Sequence, residues 1–337
     1  MWLDGRVYIL IVFKLGFLFV PKTAPLASSR QQAMATIINR LAPEEGFTPT
    51  ALDGVRLTRV NSSLTRMPVL YEPSICIVCQ GRKRGYLGGE TYAYDAQQFL
   101  VLSVPLPFEV ETEATPAKPF LGIAIRIDLA VAAELLLALD EAGGVAGAAP
   151  KGICATPLGE ELGDAALRLL NVLGAPMEAR LLGPAIVREI YFRVLTGEQG
   201  GAIRAALTHQ SQFGKIAKAL RRIHADYDGD LDVGRLAQEA GMSVPAFHVH
   251  FKSVTQTSPI QYVKATRLHK ARLLMVQESL SAAQACTRVG YESASQFSRE
   301  FKRFFGRTPQ AEATFMRGAL AVAPAAGGDG RYVTAAQ

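Results

Sequence analysis

Arg299 and Lys302, with Ser295 and Ser298 just before them, are the side chains in this sequence best suited to grip a polyanion. A guanidinium offers a rigid fork of donors to a guanine edge or a phosphate, an ammonium offers a point charge, and hydroxyls fill in as short donors. At 100° per residue these four fall on one side of a helix, with Phe297, Phe301 and Phe304 on the other. Ser293 stands where an N-cap belongs and Gly306 where a helix stops. A lone basic face of this kind also describes an ordinary solvated helix, so its meaning rests on the elements around it.

Those elements repeat. "FHVHFKSVTQTSP", starting at Phe247, lies over "FSREFKRFFGRTP", starting at Phe297. Phe247 then meets Phe297, Phe251 meets Phe301, Lys252 meets Lys302 and Pro259 meets Pro309. Ser258 and Thr308 precede the prolines as N-cap before N1. A short helical pattern and a glycine turn come before each copy, in "LDVGRLAQEAGMS" and "LSAAQACTRVGYES". The pattern predicts two helix-turn-helix units. Between them "SPIQYVKATRLHKARLLMVQES" predicts one long helix that buries Ile260, Val263, Leu268, Ala271 and Leu274. Two recognition helices on one rigid connector suit successive major grooves about 34 Å apart on one DNA face.

Charge is distributed to match. Residues 201–317 hold 17 Lys/Arg against 9 Asp/Glu, whereas residues 1–200 hold 18 against 20, so the excess of the +6 chain is concentrated in its C-terminal part. That imbalance points to a polyanion partner for the C-terminal part alone. A chain of 337 residues with 49% hydrophobic residues is expected to fold as two domains with real cores rather than remain disordered.

Residues 52–127 read as short strands broken by Gly and Pro, which predicts a small barrel or sandwich. Within them "QGRKRG", Gln80 to Gly85, reads as a basic turn, either simply solvated or facing an acidic effector. Helical patterns follow in "LAVAAELLLALDEAG", "LGDAALRLLNVL" and "EARLLGPAIVREIYFRVL", the last two with the spacing of helices that could pair with a second subunit. Four cysteines, at 76, 79, 154 and 286, form no disulfide framework and fit a reducing, cytoplasmic setting. Cys76 and Cys79 sit three apart on a predicted strand and therefore face opposite ways. They read as packing residues, or as a thiol sensor of oxidants or electrophiles.

Two stretches carry a resemblance. "AQEAGMSVPAFHVHFKSVTQTSPIQYVKATRLHKARLLM" with "GYESASQFSREFKRFFGRTPQAEATFMR" resembles the DNA-binding domain of the AraC/XylS family of bacterial transcription regulators. "YEPSICIVCQGRKRGYLGGETYAYDAQQFLVLSVPLPFEVETEA" resembles the cupin-like N-terminal domain of an AraC-type subgroup. The resemblance implies an α+β chain of two domains: an N-terminal cupin-like β-barrel with helices, and a C-terminal all-α tandem helix-turn-helix domain. It places base-contacting positions on Pro245, His248 and Val249 in the first unit, and on Ala294, Ser295, Ser298 and Arg299 in the second; Lys252 and Lys302, by their charge, suit phosphate. Pro245, His248 and Val249 depart from the long polar readers common in such first units, so readout there would rest on shape and on thymine methyls. Double-stranded promoter or operator DNA, RNA polymerase, a small-molecule effector and a second copy of the chain are the implied partners. The alternative is an effector-independent regulator whose barrel only assembles the protein.

An enzyme is disfavoured. All five histidines (209, 224, 248, 250 and 269) lie outside the barrel region, so no histidine-based cupin metal centre is expected, and no cofactor. His248 and His250, two apart on a helix, diverge by 200° and cannot pair on a metal. The run over residues 7–20 is apolar but interrupted by Lys14. It falls short of a membrane span and lacks a clear signal-cleavage site. The reading adopted is a coding start set too early, with Met34 as the true first residue. The expected boundaries are 1–43 as an apolar or irregular extension, 44–200 as the effector and oligomerisation domain, 201–212 as linker, 213–316 as the DNA-binding domain, and 317–337 as a disordered tail.

Overall fold

The structure, a computed structural model, describes residues 26–141, 152–197, 200–207 and 211–319. Helix α1 (Leu26–Leu41) leads into β1 (Gly46–Pro49), β2 (Val55–Val60), β3 (Leu64–Tyr71), β4 (Ser74–Gln80), β5 (Arg82–Leu87), β6 (Glu90–Asp95), β7 (Gln98–Leu102), β8 (Leu106–Glu113) and β9 (Phe120–Arg126). Helix α2 (Leu129–Glu141), strand β10 (Ile153–Pro157), and helices α3 (Glu160–Leu173), α4 (Pro176–Thr196) and α5 (Gly200–Leu207) complete the N-terminal domain. The strands form a six-stranded sheet, β1-β2-β9-β4-β7-β10, and a four-stranded sheet, β3-β8-β5-β6. No ladder joins the two among the described strands, so the expected barrel is two facing antiparallel sheets rather than a closed cylinder.

Burial follows this layering. The six-stranded sheet has the inter-sheet space on one face and α1, α3 and α4 on the other, and its central β4 is buried along nearly all its length. Strand β8, inside the four-stranded sheet, alternates strictly between buried and half-buried residues, because only one face of that sheet meets the core. On the helical side Met34 and Ile38 of α1, Leu169 and Leu170 of α3, and Ile190 and Val194 of α4 close over Ile75, Ile77, Ile123 and Ile125.

Two expected boundaries are wrong. Residues 26–41 are not an irregular extension. Met34 is fully buried, Arg30 pairs with Asp164 at 2.9 Å, and Gln31 donates to the Ala96 carbonyl, so α1 is part of the domain. The apolar run at residues 7–20 lies outside the described residues. Residues 201–212 are not a free linker either, because α5 occupies most of them and buries Ala202, Ile203 and Ala206. His209 lies outside the described residues, as do residues 320–337 of the expected tail, whereas Arg317 still belongs to the last helix.

The C-terminal domain comprises α6 (Gln212–Ala225), α7 (Val233–Glu239), α8 (Val244–Thr255), α9 (Pro259–Gln277), α10 (Ala282–Arg288), α11 (Ala294–Phe305) and α12 (Pro309–Ala319). It is docked on the sheets. One continuous apolar cluster runs from Leu102, Leu106 and Phe108 to Phe247, Phe251 and Tyr262. Tyr262 donates to the Pro105 carbonyl at 2.8 Å, and Arg272 of α9 donates to the Pro68 carbonyl at 3.2 Å. No helix among the described residues is long and apolar enough to cross a membrane.

Candidate nucleic-acid interface

The two helix-turn-helix units are built by the same local chemistry. In the first, Asp232 caps α7 by accepting from Arg235 N, Gly241 turns the chain at φ +61, and Ser243 caps α8 by accepting from Ala246 N. In the second, Ser281 and Gln284 close a capping box on α10, Gly290 turns the chain at φ +76, and Ser293 caps α11 by accepting from Gln296 N. Helix α11 ends on Gly306 in the left-handed conformation, and α8 ends the same way on Gln256 at φ 58. Ser258 occupies the N-cap of α9 without making a side-chain cap bond; Pro259 sets the first turn.

Every residue expected to face DNA is on the surface. Pro245, His248, Val249 and Lys252 of α8 are exposed, opposite the buried Phe247 and Phe251. Ala294, Ser295, Ser298, Arg299 and Lys302 of α11 are exposed, opposite the buried Phe297 and Phe301. The third inward ring is Phe305, while Phe304 is only half-buried, so the apolar face is rotated slightly from its expected position. Val249 is 67% and Val244 44% exposed, leaving an apolar outer edge on α8. Lys252, Arg299 and Lys302 form no ion pair among the described residues, and their charges are uncompensated. In α9, Val263, Leu268 and Ala271 are buried as expected, but Ile260 is exposed and Leu274 only half-buried.

Sequence periodicity did not reveal what fixes one unit against the other. Arg267 of α9 donates to three carbonyls: Tyr227 at 2.7 Å, Gly229 at 2.8 Å and Gly290 at 3.0 Å. It ties the loop before the first unit to the turn of the second. At Gly290 a Cβ would lie 2.3 Å from the Asp228 carbonyl oxygen, so this contact needs glycine for space as well as for φ. Glu300, on the inner edge of α11, accepts from Lys264 Nζ at 2.7 Å, Tyr291 Oη at 2.8 Å and Gln296 Nε2 at 3.2 Å. Burial works to raise its carboxyl, but these donors outweigh burial and hold it below the usual carboxylate range. Arg267 and Glu300 lie off the apolar stripe, and only the three-dimensional contacts distinguish them from surface charges.

In the N-terminal domain Cys76 faces the inter-sheet space and Cys79 faces the helical core, as strand alternation requires. Burial raises both thiols, Cys79 up to about 12, which disfavours the thiolate that a sensor needs. Among the described residues no group of three His, Cys, Asp or Glu side chains gathers as a metal site. His248 is exposed and His250 half-buried on α8.

Comparison with known proteins agrees with this geometry. A family model described as the AraC-type transcriptional regulator N-terminus matches residues 51–202, and a helix-turn-helix domain model matches residues 236–313. The HTH-type transcriptional regulator AlkR of Acinetobacter baylyi is 33% identical over 96 residues, 28% of this chain and 31% of AlkR. The regulator ArgR of Pseudomonas aeruginosa is 28% identical over 153 residues, 45% of this chain and 46% of ArgR. The chain thus matches less than half the length of either relative. ToxT from Vibrio cholerae O395 shares the fold with a TM-score of 0.55 at 12% identity, over 78% of this chain and 98% of ToxT. A ToxT structure with bound unsaturated fatty acid gives 0.53 at 12% identity, over 80% and 95%.

Proposed function

The chain belongs to the AraC/XylS family of transcription regulators, and from that premise we propose that it binds a bipartite operator through α8 and α11, under the control of a small molecule held by its N-terminal domain. The observation that carries this reading is the pair of matched, outward-facing recognition helices with uncompensated cations, held at fixed separation by α9 and Arg267. Arg299 is assigned to a guanine edge and Lys252 and Lys302 to phosphates. His248, Val249 and Pro245 are assigned to shape and thymine methyls. Ala294, Ser295 and Ser298 line the closest approach of α11.

Effector control is supported by the docking of the two domains. The cluster from Phe108 to Tyr262 and the bonds to Pro105 and Pro68 couple any repacking of the sheets to the helices. ToxT, which shares the fold, has been solved with a fatty acid bound. RNA polymerase and a second copy of the chain belong to the same proposal, as does a cytoplasmic location. The test is a titration of the full chain on an operator selected from random duplexes and on a scrambled duplex, across a salt series. Selective binding that weakens steeply with salt is expected. Equal affinity for both duplexes contradicts sequence reading.

A further inference from the structure

The stretch expected to be a basic turn is a strand, and its three cations do different things. Gly81, at φ +84, makes the turn, and β5 then runs from Arg82. Alternation sends Arg82 and Arg84 outward, where they pair with Asp95, Glu111 and Glu113. It sends Lys83 inward, to 9% exposure, with Nζ 4.5 Å from the centre of the Phe120 ring. No carboxylate and no hydrogen-bond acceptor partners this ammonium among the described residues.

The space it enters lies between the two sheets and is small, about 30 Å³. Thr58, Tyr71, Cys76, Tyr94 and Phe120 line it together with Lys83, the remainder being mostly aliphatic wall. Its polar equipment is biased toward donors. The Tyr94 hydroxyl, on a residue 2% exposed, has only the Tyr71 hydroxyl beside it, and the lining contains no Asp or Glu. An unpaired ammonium in an apolar chamber is costly, and one small acceptor carrying negative charge would satisfy it while accepting from the tyrosine hydroxyl on the facing position of β6. The volume has room for roughly two waters, which limits such a ligand to a few heavy atoms.

We propose that the space between the sheets binds a small organic carboxylate, held by the Lys83 ammonium and the Tyr94 hydroxyl, and that this class of anion is the effector. The second clause rests on the reading of the N-terminal domain as the effector domain; the site itself does not. Burial lowers Lys83 to about 8, with Cys76 opposing the shift, so the empty site sheds its charge readily and a bound anion restores it. Tyr71, Cys76 and Tyr94, the titratable groups around it, are all raised by burial, which leaves Lys83 as the group that titrates near pH 8.

The experiment uses the full chain, with acetate as probe and acetamide as its neutral isostere, at matched ionic strength. Calorimetric titration and thermal melting are expected to register acetate and not acetamide. Acetate affinity should fall as pH rises through about 8. Lys83→Met, which removes an unpaired buried charge without removing bulk, should stay folded and lose the acetate response. Tyr94→Phe should weaken acetate about tenfold. Equal responses to acetate and acetamide, or an acetate response that survives in folded Lys83→Met, overturns the site. Operator affinity measured with and without acetate separates the two claims. Binding through Lys83 with no change in operator affinity keeps the site and refutes the effector role. No acetate binding, with operator affinity that answers to another small molecule, refutes the site and keeps effector control.

Discussion

Arg299, Lys302 and Phe301 occupy neighbouring positions on one helix and should fail in three different ways. Arg299 is exposed and unpaired, so Arg299→Ala should cost about 1–3 kcal/mol of binding, concentrated at one base pair. Lys302→Ala should weaken all duplexes alike and reduce the salt slope by about one unit. Phe301 is fully buried, and Phe301→Ala should cost roughly 3–5 kcal/mol of stability, with DNA binding lost through unfolding. Circular dichroism beside the binding titrations separates the three. Gly290→Ala should destabilise the second unit by more than about 1 kcal/mol in thermal melts, because the new methyl meets the Asp228 carbonyl at a φ that alanine resists. These residues were largely legible in the sequence, since caps, turn glycines and an amphipathic wheel are local features. Lys83 was not. Its basic neighbours suggested a turn, and only the strand register shows that it faces inward while Arg82 and Arg84 face water.

At the scale of elements, the tandem repeat was readable because each unit encodes its own start and stop. Helix α1 was not, because what holds it is distant in sequence: Ile75 and Leu169 below it, and Asp164 beside it. The contacts of Arg30 and Gln31 count against the reading of Met34 as the first residue. A chain starting at Met34 deletes the Arg30 and Gln31 contacts and the first turns of α1, and should melt at a lower temperature than one starting at residue 24. Equal melting temperatures would return α1's first half to a passive role. Strand β10 escaped for the same reason, since a five-residue strand on the sheet edge is defined by its pairing with β7. The clamp at Arg267 should act on the relation between units. Arg267→Ala should leave half-site affinity nearly unchanged and lower affinity for the full operator about tenfold, read by titrating both duplexes.

For the whole molecule, the shared core between the domains is the feature with most consequence, and composition gave no sign of it. Two histidines, His269 fully buried and His224 half-buried, sit close to this junction. Burial, then the charge of Lys270, lowers His224 to about 3; burial with Arg272 and His224 holds His269 well below its ordinary value. Tyr262 commits its one proton to Pro105, so neutral His224 is the donor to the Tyr262 oxygen at 2.8 Å. Below about pH 6.5 the unfolded chain takes up protons that the folded chain refuses. The contribution is complete above that pH and is lost as pH falls toward 3. At pH 5 His224 should have removed about 2 kcal/mol of stability, with His269 acting in the same direction, and His224→Gln, which keeps a donor, should flatten the acid limb of the melting profile.

The central claim is that one chain reads two successive major grooves with two rigidly linked helices, and operator spacing tests it most directly. The full chain is titrated on its selected operator and on the same operator with five base pairs inserted between the two half-sites. The insertion turns one half-site to the opposite face of the duplex, out of reach of a fixed connector. Affinity should fall at least tenfold, to that of a single half-site. Affinity unchanged by the insertion would contradict the account.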